Sequence, residues 1–256
     1  MADPEPFTVA LSPLDEERFG VVTARASGVT AERVTQVLDF CAHHGVEFAI
    51  VRCATNDLRA VQELEDTGFR LMDTLVYYGR GLEDPPPPMD DGPVRVRPAA
   101  PGDEMRVRAI AARGFTGYVG HYHADERLDR AACDEVYASW AYRSCIESGV
   151  ADGVLVAELD GDIVGFSTIR IKDDQEAEGV LDAVDPAVRR RGIYRQLGIA
   201  RIDWCRRHGL SRLVVPTQLA NPASQRGLVR LGFAPQRSSY TFHWWRDQPR
   251  GRRTTG

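Results

Sequence analysis

Slid against itself by 164 residues, this sequence meets its own pattern without a gap. Asp39-Phe40-Cys41-Ala42-His43-His44-Gly45-Val46 falls on Asp203-Trp204-Cys205-Arg206-Arg207-His208-Gly209-Leu210, and Thr67-Gly68-Phe69 falls on Leu231-Gly232-Phe233. Each copy reads as helix, glycine stop, short apolar strand, loop with an Asn, helix, Gly-Phe, strand. A repeated element order means two versions of one supersecondary unit, so a fold assigned to one copy must be recoverable in the other. Between them lies Glu83-Asp84-Pro85-Pro86-Pro87-Pro88-Met89-Asp90-Asp91-Gly92-Pro93. Four consecutive prolines offer no N–H and break both a helix and a central strand, so this stretch is an extended spacer. The chain therefore divides into 1–82, a linker at 83–93, a larger part at 94–246, and a polar, net basic 247–256 that reads as a flexible tail.

The formal charge of −5 gives no support for a nucleic-acid or anionic-membrane partner. No run of about 18 apolar residues exists, so no membrane span is expected. The acidic start lacks the apolar core of a signal peptide. Five cysteines without CxxC spacing read as reduced, buried thiols, and the expectation is a cytoplasmic protein.

Period and punctuation sketch the larger part. Residues 94–97 form a short strand, and Asp103 caps a helix. Residues 128–147 carry Leu128, Ala132, Val136, Trp140 and Ile146 at helical spacing. Strands 154–159 and 163–171 form a hairpin through Asp160-Gly161. A strand at 180–184 is followed by a helix at 193–208, stopped by Gly209. Then come a strand at 213–216, a helix opened near Asn221 and stopped by Gly232, and a strand at 238–244.

The chemistry concentrates in Val184-Asp185-Pro186-Ala187-Val188-Arg189-Arg190-Arg191-Gly192-Ile193-Tyr194. A strand that turns directly into a helix presents unpaired backbone N–H groups and the positive end of the helix dipole, which together bind phosphate. Gly192 lets the backbone approach a ligand, and the arginines add fork-shaped donors. By itself the stretch also reads as a charged surface turn. Together with 154–166 and 221–233, it resembles the GNAT family of N-acetyltransferases across 94–246. That family's turn runs Arg or Gln, two residues, Gly, one residue, then Gly or Ala. Here Tyr194 departs from the last position.

The resemblance implies an α/β (α+β) GNAT fold with a mixed, mostly antiparallel sheet, preceded by a smaller degenerate half-copy. It implies acetyl-CoA as cosubstrate, held by Val184, Arg189, Arg190, Arg191, Gly192, Ile193, Tyr194 and Asn221. Strand 180–184 should splay from strand 213–216, with the pantetheine arm in the gap. The acetyl group would pass to a primary amine by direct attack in a ternary complex, without a metal. Glu178 is the first candidate for the base, acting through water, although it also reads as a solvated carboxylate in the acidic run 173–178. Asp182, a charge inside a strand, faces the cleft or is paired, and could orient the amine. The family's acid, a tyrosine seven residues after the Asn, is here Leu228. Tyr240 is a substitute candidate and equally a core strand residue. A thiol of pKa about 8.5 can also leave as thiolate unaided.

A half-copy ahead of such a domain resembles the TDP-fucosamine acetyltransferase group, which acetylates amino sugars on nucleotides. Residues 115–128 and 135–140 are similar to its substrate region, making Tyr118, His121, His123 and Tyr137 candidates for the acceptor site. His121 and His123 have no evident third partner, so a metal is not expected. Arg25-Ala26-Ser27-Gly28 falls on Arg189 to Gly192 at the 164 offset and lacks the basic cluster, so no second cofactor site is expected. The first part is expected to pack on the second and wall the cleft. The partner is then a small-molecule amine, and the protein a monomer or homodimer. An antibiotic, an amino acid or a protein amine are alternative acceptors, and a non-catalytic acyl-CoA-binding module is an alternative role.

Overall fold

The structure, a computed structural model, describes residues 5–89 and 91–247, and residues 248–256 of the stretch read as a tail lie outside the described residues. The first part builds β1 (Thr8–Leu11), α1 (Pro13–Phe19), β2 (Thr23–Ser27), α2 (Val34–His43), β3 (Phe48–Ala54), α3 (Leu58–Asp66) and β4 (Arg70–Gly81). The second builds β5 (Arg95–Pro98), α4 (Glu104–Gly114), α5 (His121–Ala124), α6 (Arg130–Ile146), β6 (Gly153–Leu159), β7 (Asp162–Ile171), β8 (Glu176–Val184), α7 (Ile193–Arg207), β9 (Arg212–Gln218), α8 (Pro222–Arg230) and β10 (Ala234–Trp245).

The repeat survives residue by residue. Both ends of β3, α3 and β4 lie 164 positions before those of β9, α8 and β10. The second helix of each copy is capped alike: Asp57 accepts from Ala60 N and Asn221 from Ser224 N, which satisfies an otherwise orphaned donor of the first turn.

All ten strands join one sheet in the order β1-β2-β3-β10-β4-β9-β8-β7-β6-β5. Only β2–β3 and β8–β9 run parallel, so the mixed, mostly antiparallel sheet of the GNAT fold is present. The two copies interleave. β10 lies between β3 and β4, and β4 lies between β10 and β9. The prolines thus divide the chain without dividing the sheet. Along β10 the faces alternate as a strand requires. Phe242 is fully buried in the core of the first part, with Tyr240 and Trp244 beside it. Trp245 joins a second core with Phe48, Val136 and Phe166, beneath α4 and α6. A third core, under α7 and α8, is built on Leu197, Ile202, Leu213 and Leu228.

Two segments differ from the sequence reading. The acidic run ends in a strand, because β8 begins at Glu176 and is longer than 180–184. The polar stretch 115–128, given no element in the sequence reading, contains the one-turn α5. Among the described residues no helix is long and apolar enough to cross a membrane.

Because both neighbours of β10 come from the first part, a fragment of residues 94–246 leaves a 12-residue strand without a partner on either edge. Expressed alone, that fragment is expected to show no cooperative thermal transition by circular dichroism. Co-expression with residues 1–93 is expected to restore one.

Candidate active site

Midway along β8 the ladder slips. Ser167 of β7 pairs with Asp182 and Ile169 with Gly179, so two steps on β7 span three on β8. The extra residue is a β-bulge, which bends a strand and re-aims the side chains beyond it. Before it, Ala177 packs in the core under α7; after it, Leu181 and Ala183 pack under α4 and α6. On its other edge β8 pairs with β9 only at Glu176↔Arg212, Ala177↔Leu213 and Glu178↔Val214. Past Glu178 the strands part, leaving the 179–184 edge without a β9 partner. The fork opens into a cleft of about 1310 Å³, lined among others by Glu178, Asp182, Tyr194, Thr217 and Asn221.

At the end of β8, Asp185 accepts from Ala187 N at 3.1 Å and is held by Arg113 at 2.7 Å. The backbone then passes through two left-handed residues, Arg190 (φ 68°) and Gly192 (φ 76°), a conformation unfavourable for residues with a Cβ. Gly192 is the N-cap of α7, so the first N–H groups of that helix open onto the turn. Arg190 and Arg191 are exposed, and Arg189 donates to Gly114 O at 3.1 Å. Ile193 is buried, so its side chain serves the core.

Tyr194 crosses from α7 to α8. Its hydroxyl lies 3.2 Å from Ser224 Oγ, and its ring fills the space above Gly227, where a Cβ would fall 2.6 Å from the ring. The missing side chain at 227 thereby accommodates a tyrosine where the family pattern has a small residue. Burial pushes the Tyr194 hydroxyl pKa up. The Asn221 side chain caps α8 at 3.2 Å from Ser224 N, at the edge of the cleft.

Glu178 is the last β8 residue paired before the fork. Burial raises its carboxyl pKa, against the pull of Lys172, Arg52, Arg237 and Arg170. Asp182 takes the paired alternative and not the role of orienting the amine. In a regular strand it would share a face with Glu178, but the bulge turns it toward α7. There its two oxygens meet Nη1 of the buried Arg201 at 2.8 and 2.7 Å. Burial works against the guanidinium charge, and Asp182, with Tyr194 and Cys205 nearby, more than offsets it, raising the Arg201 pKa. Gly179 makes room for this pair, since a Cβ there would lie 2.5 Å from Arg201 Nη1. Asp182 is therefore engaged by α7 and is not free to orient an amine. Of the two readings of Tyr240, the core strand residue holds and the acid does not. It packs edge-on against Phe242 in the first part's core and does not line the cleft. Leu228 is a core residue, fully buried.

Of the acceptor candidates, Tyr118, His121 and Tyr137 line the cleft. His123 does not; its Nε2 lies 3.0 Å from Asp134, tying α5 to α6. The first part adds Arg25, Arg52 and Asp73, which sequence reasoning did not find because it could not foresee the interleaving. Arg52 Nε and Asp73 Oδ1 are buried without a hydrogen-bond partner among the described residues. Arg25 is held by Asp15 at 2.5 and 3.0 Å and by the Tyr122 hydroxyl. It is not the counterpart of Arg189. Thr23 pairs with Phe48 as Glu176 pairs with Arg212, so in β2 the offset is 153 (176 − 23), and Arg25 stands where Glu178 does. The 11 residues missing from the first copy (164 − 153) lie between β2 and β3, the interval that carries the basic turn in the second copy. One signal was available in β10: Ser239, Thr241 and His243 alternate with Tyr240, Phe242 and Trp244, which marks a polar face in a buried strand.

Residues 113–233 match the model of the acetyltransferase (GNAT) family. The chain is 29% identical over 150 residues to the spore coat polysaccharide biosynthesis protein SpsD of Bacillus subtilis (strain 168), covering 58% of this chain and 50% of that one. It is 28% identical over 169 residues to the mycothiol acetyltransferase of Amycolatopsis mediterranei (strain U-32), covering 60% and 50%. The chain spans about half the length of the curated relatives it matches. A GCN5-related N-acetyltransferase from Sphaerobacter thermophilus shares the fold, with a TM-score of 0.63 at 14% identity over 93% of this chain and 76% of that one.

Removing one partner of a buried ion pair strands the other charge, at about 3–5 kcal/mol. Asp182→Ala is therefore expected to destabilise the protein by that amount in urea unfolding. The double variant Asp182→Leu/Arg201→Leu is expected to recover most of the loss.

Proposed function

We propose that this chain, whose residues 113–233 match the acetyltransferase (GNAT) family, is an acetyltransferase of that family that moves an acetyl group from acetyl-CoA to the primary amine of a small polar molecule by direct attack in a ternary complex, with an amino sugar carried on a nucleotide as the favoured acceptor. The observation that carries this reading is the fork: β8 leaves β9 after Glu178 and runs, with one edge free, straight into a glycine turn at a helix N-terminus. Phosphates fit the backbone N–H groups and arginines at 189–194. The pantetheine amides fit the free 179–184 edge, whose N–H groups also suit the oxyanion that develops on the thioester carbonyl. Acetyl-CoA supplies that carbonyl as electrophile.

The acceptor fits the polar end of the cleft. Arg52 and Asp73 each present a buried atom without a protein partner, and such atoms are satisfied by a ligand's polar groups. Tyr118 and Tyr137 add flat walls suited to a sugar or base ring. Glu178, at the fork, draws the ammonium toward the thioester. One matched relative is named for polysaccharide biosynthesis, which supports a sugar acceptor.

Calorimetry is expected to show micromolar binding of acetyl-CoA that is lost in Gly192→Glu, a change that adds a Cβ and a negative charge at the turn. In a thiol-release assay with TDP-fucosamine, UDP-glucosamine, aminoglycosides, amino acids and a lysine peptide, turnover is expected with the sugar nucleotides. Turnover with the peptide alone would overturn the small-molecule reading. Glu178→Gln is expected to raise the acceptor KM about tenfold or more with a smaller change in kcat, as for a group that binds ground state and transition state alike.

A further inference from the structure

Beneath the acceptor end of the cleft runs a chain of three ionisable side chains. Asp125 Oδ2 lies 2.8 Å from His243 Nδ1, and His243 Nε2 lies 2.9 Å from His121 Nδ1. His243 is fully buried, and the Asp125 side chain is almost so. Asp125 also accepts from Trp245 Nε1 at 2.9 Å and Arg127 N at 3.1 Å, which fixes the carboxylate. The three residues come from separate places: His121 opens α5, Asp125 follows it, and His243 stands on the polar face of β10.

The hydrogen bonds fix the protons. A carboxylate only accepts, so His243 carries its proton on Nδ1. Neutral His243 then accepts at Nε2, so His121 must donate from Nδ1. The lone pair of His121 is left on Nε2, on a ring that lines the cleft. Among the described residues no three His, Cys, Asp or Glu groups are placed to share a metal; here each group bonds to the next in line. Burial, with His243, Arg52, Arg25 and His123 around it, holds His121 well below the usual histidine pKa and keeps it neutral. Burial also lowers His243, against the pull of Asp125.

We propose that His121 Nε2 is the general base that takes the proton from the acceptor amine, and that His243 and Asp125 are positioning residues that fix its tautomer and steady the charge it acquires, an assignment that rests on the acetyl transfer proposed above. The acceptor ammonium, once drawn in by Glu178, gives its first proton to solvent and reacts as the neutral amine. Its nitrogen bonds to the thioester carbonyl carbon, which leaves that nitrogen cationic and acidic enough for the weakly basic His121 to take a proton at Nε2. The C–S bond breaks with the electron pair on sulfur, and His121 Nε2 passes its proton to the thiolate, giving the amide, the free thiol and a neutral imidazole. This order resembles the logic of a nucleophile-activating triad, in which a buried carboxylate orients an imidazole without being protonated itself. Here a second imidazole extends the reach from the carboxylate to the cleft.

Two measurements test it. Nitrogen-detected NMR of the histidine side chains in the wild-type protein at pH 7 is expected to find His121 and His243 both neutral and both protonated on Nδ1. A proton on His121 Nε2 would overturn the proposal. In acetyl transfer from acetyl-CoA to TDP-fucosamine, or to whichever screened amine is acetylated, His121→Gln is expected to lower kcat about 10²- to 10⁴-fold with the acetyl-CoA Kd unchanged. Asp125→Asn is expected to lower kcat about tenfold or more and to shift the His121 ring signals. Added imidazole is expected to restore part of the activity of His121→Gly, which a purely structural role would not permit. Wild-type kcat in His121→Gln would sink the relay and leave acetyl transfer standing. Absence of transfer by the wild type to every amine would instead defeat the proposed function, with the NMR result still deciding the tautomers.

Discussion

The ion pair between Arg201 and Asp182 fastens the helix behind the basic turn to the strand that forks. Arg201 lies in the body of α7, almost without solvent. It reaches Asp182 because Gly179 has no side chain and because the bulge has turned Asp182 toward the helix. A buried guanidinium without a partner is so unfavourable that the strand is held to its bulged course once α7 packs. The same bulge bends β8 away from β9. The gap between the strands, the free 179–184 edge and the placement of the α7 N-terminus are thus linked, and no one of them can change alone.

The duplication explains why such a chain carries a single turn of this kind. From the last turns of α2 onward the copies correspond without a gap, yet between β2 and those turns the first copy is 11 residues shorter (164 − 153) and lacks the basic turn. In place of Glu178 it has Arg25, neutralised by Asp15. Burial pushes the Asp15 carboxyl up, and Arg25 and Ser12 bring it below the ordinary value. What the first copy contributes is different. Its last strand fills the sheet position beside β9, and Arg25, Arg52 and Asp73 line the cleft. In the proposed reaction, one copy would hold the acyl donor and the other would help to hold the acceptor.

Much of this was legible in the sequence, and the failures have physical causes. Glycine stops, caps and strand periods located most elements to within a few residues, and the repeat located β3, α3 and β4 from their counterparts. A bulge has no such signature, so the sequence leaves open whether Asp182 faces the cleft free or is paired; the bulge settles it by turning Asp182 toward Arg201, although both it and Glu178 border the cleft. Tyr240 was read without its strand's alternation, which sends it into the first part's core beside Phe242. His123 is paired with His121 through the resemblance of 115–128 to a substrate region, whereas two residues of helix turn it toward Asp134. The relay from Asp125 through His243 needs β10 to enter the first part's sheet, a pairing across the proline stretch that local patterns do not encode.

Amide hydrogen exchange with and without acetyl-CoA addresses the central claim most directly, because it reports where the ligand touches backbone. A donor site at the fork requires slowed exchange at 179–184 and at 189–195, with little change in α2, α3 or β1. Unchanged exchange at those two segments under saturating acetyl-CoA, or protection confined to another part of the chain, would contradict the assignment of the fork as the acetyl-CoA site.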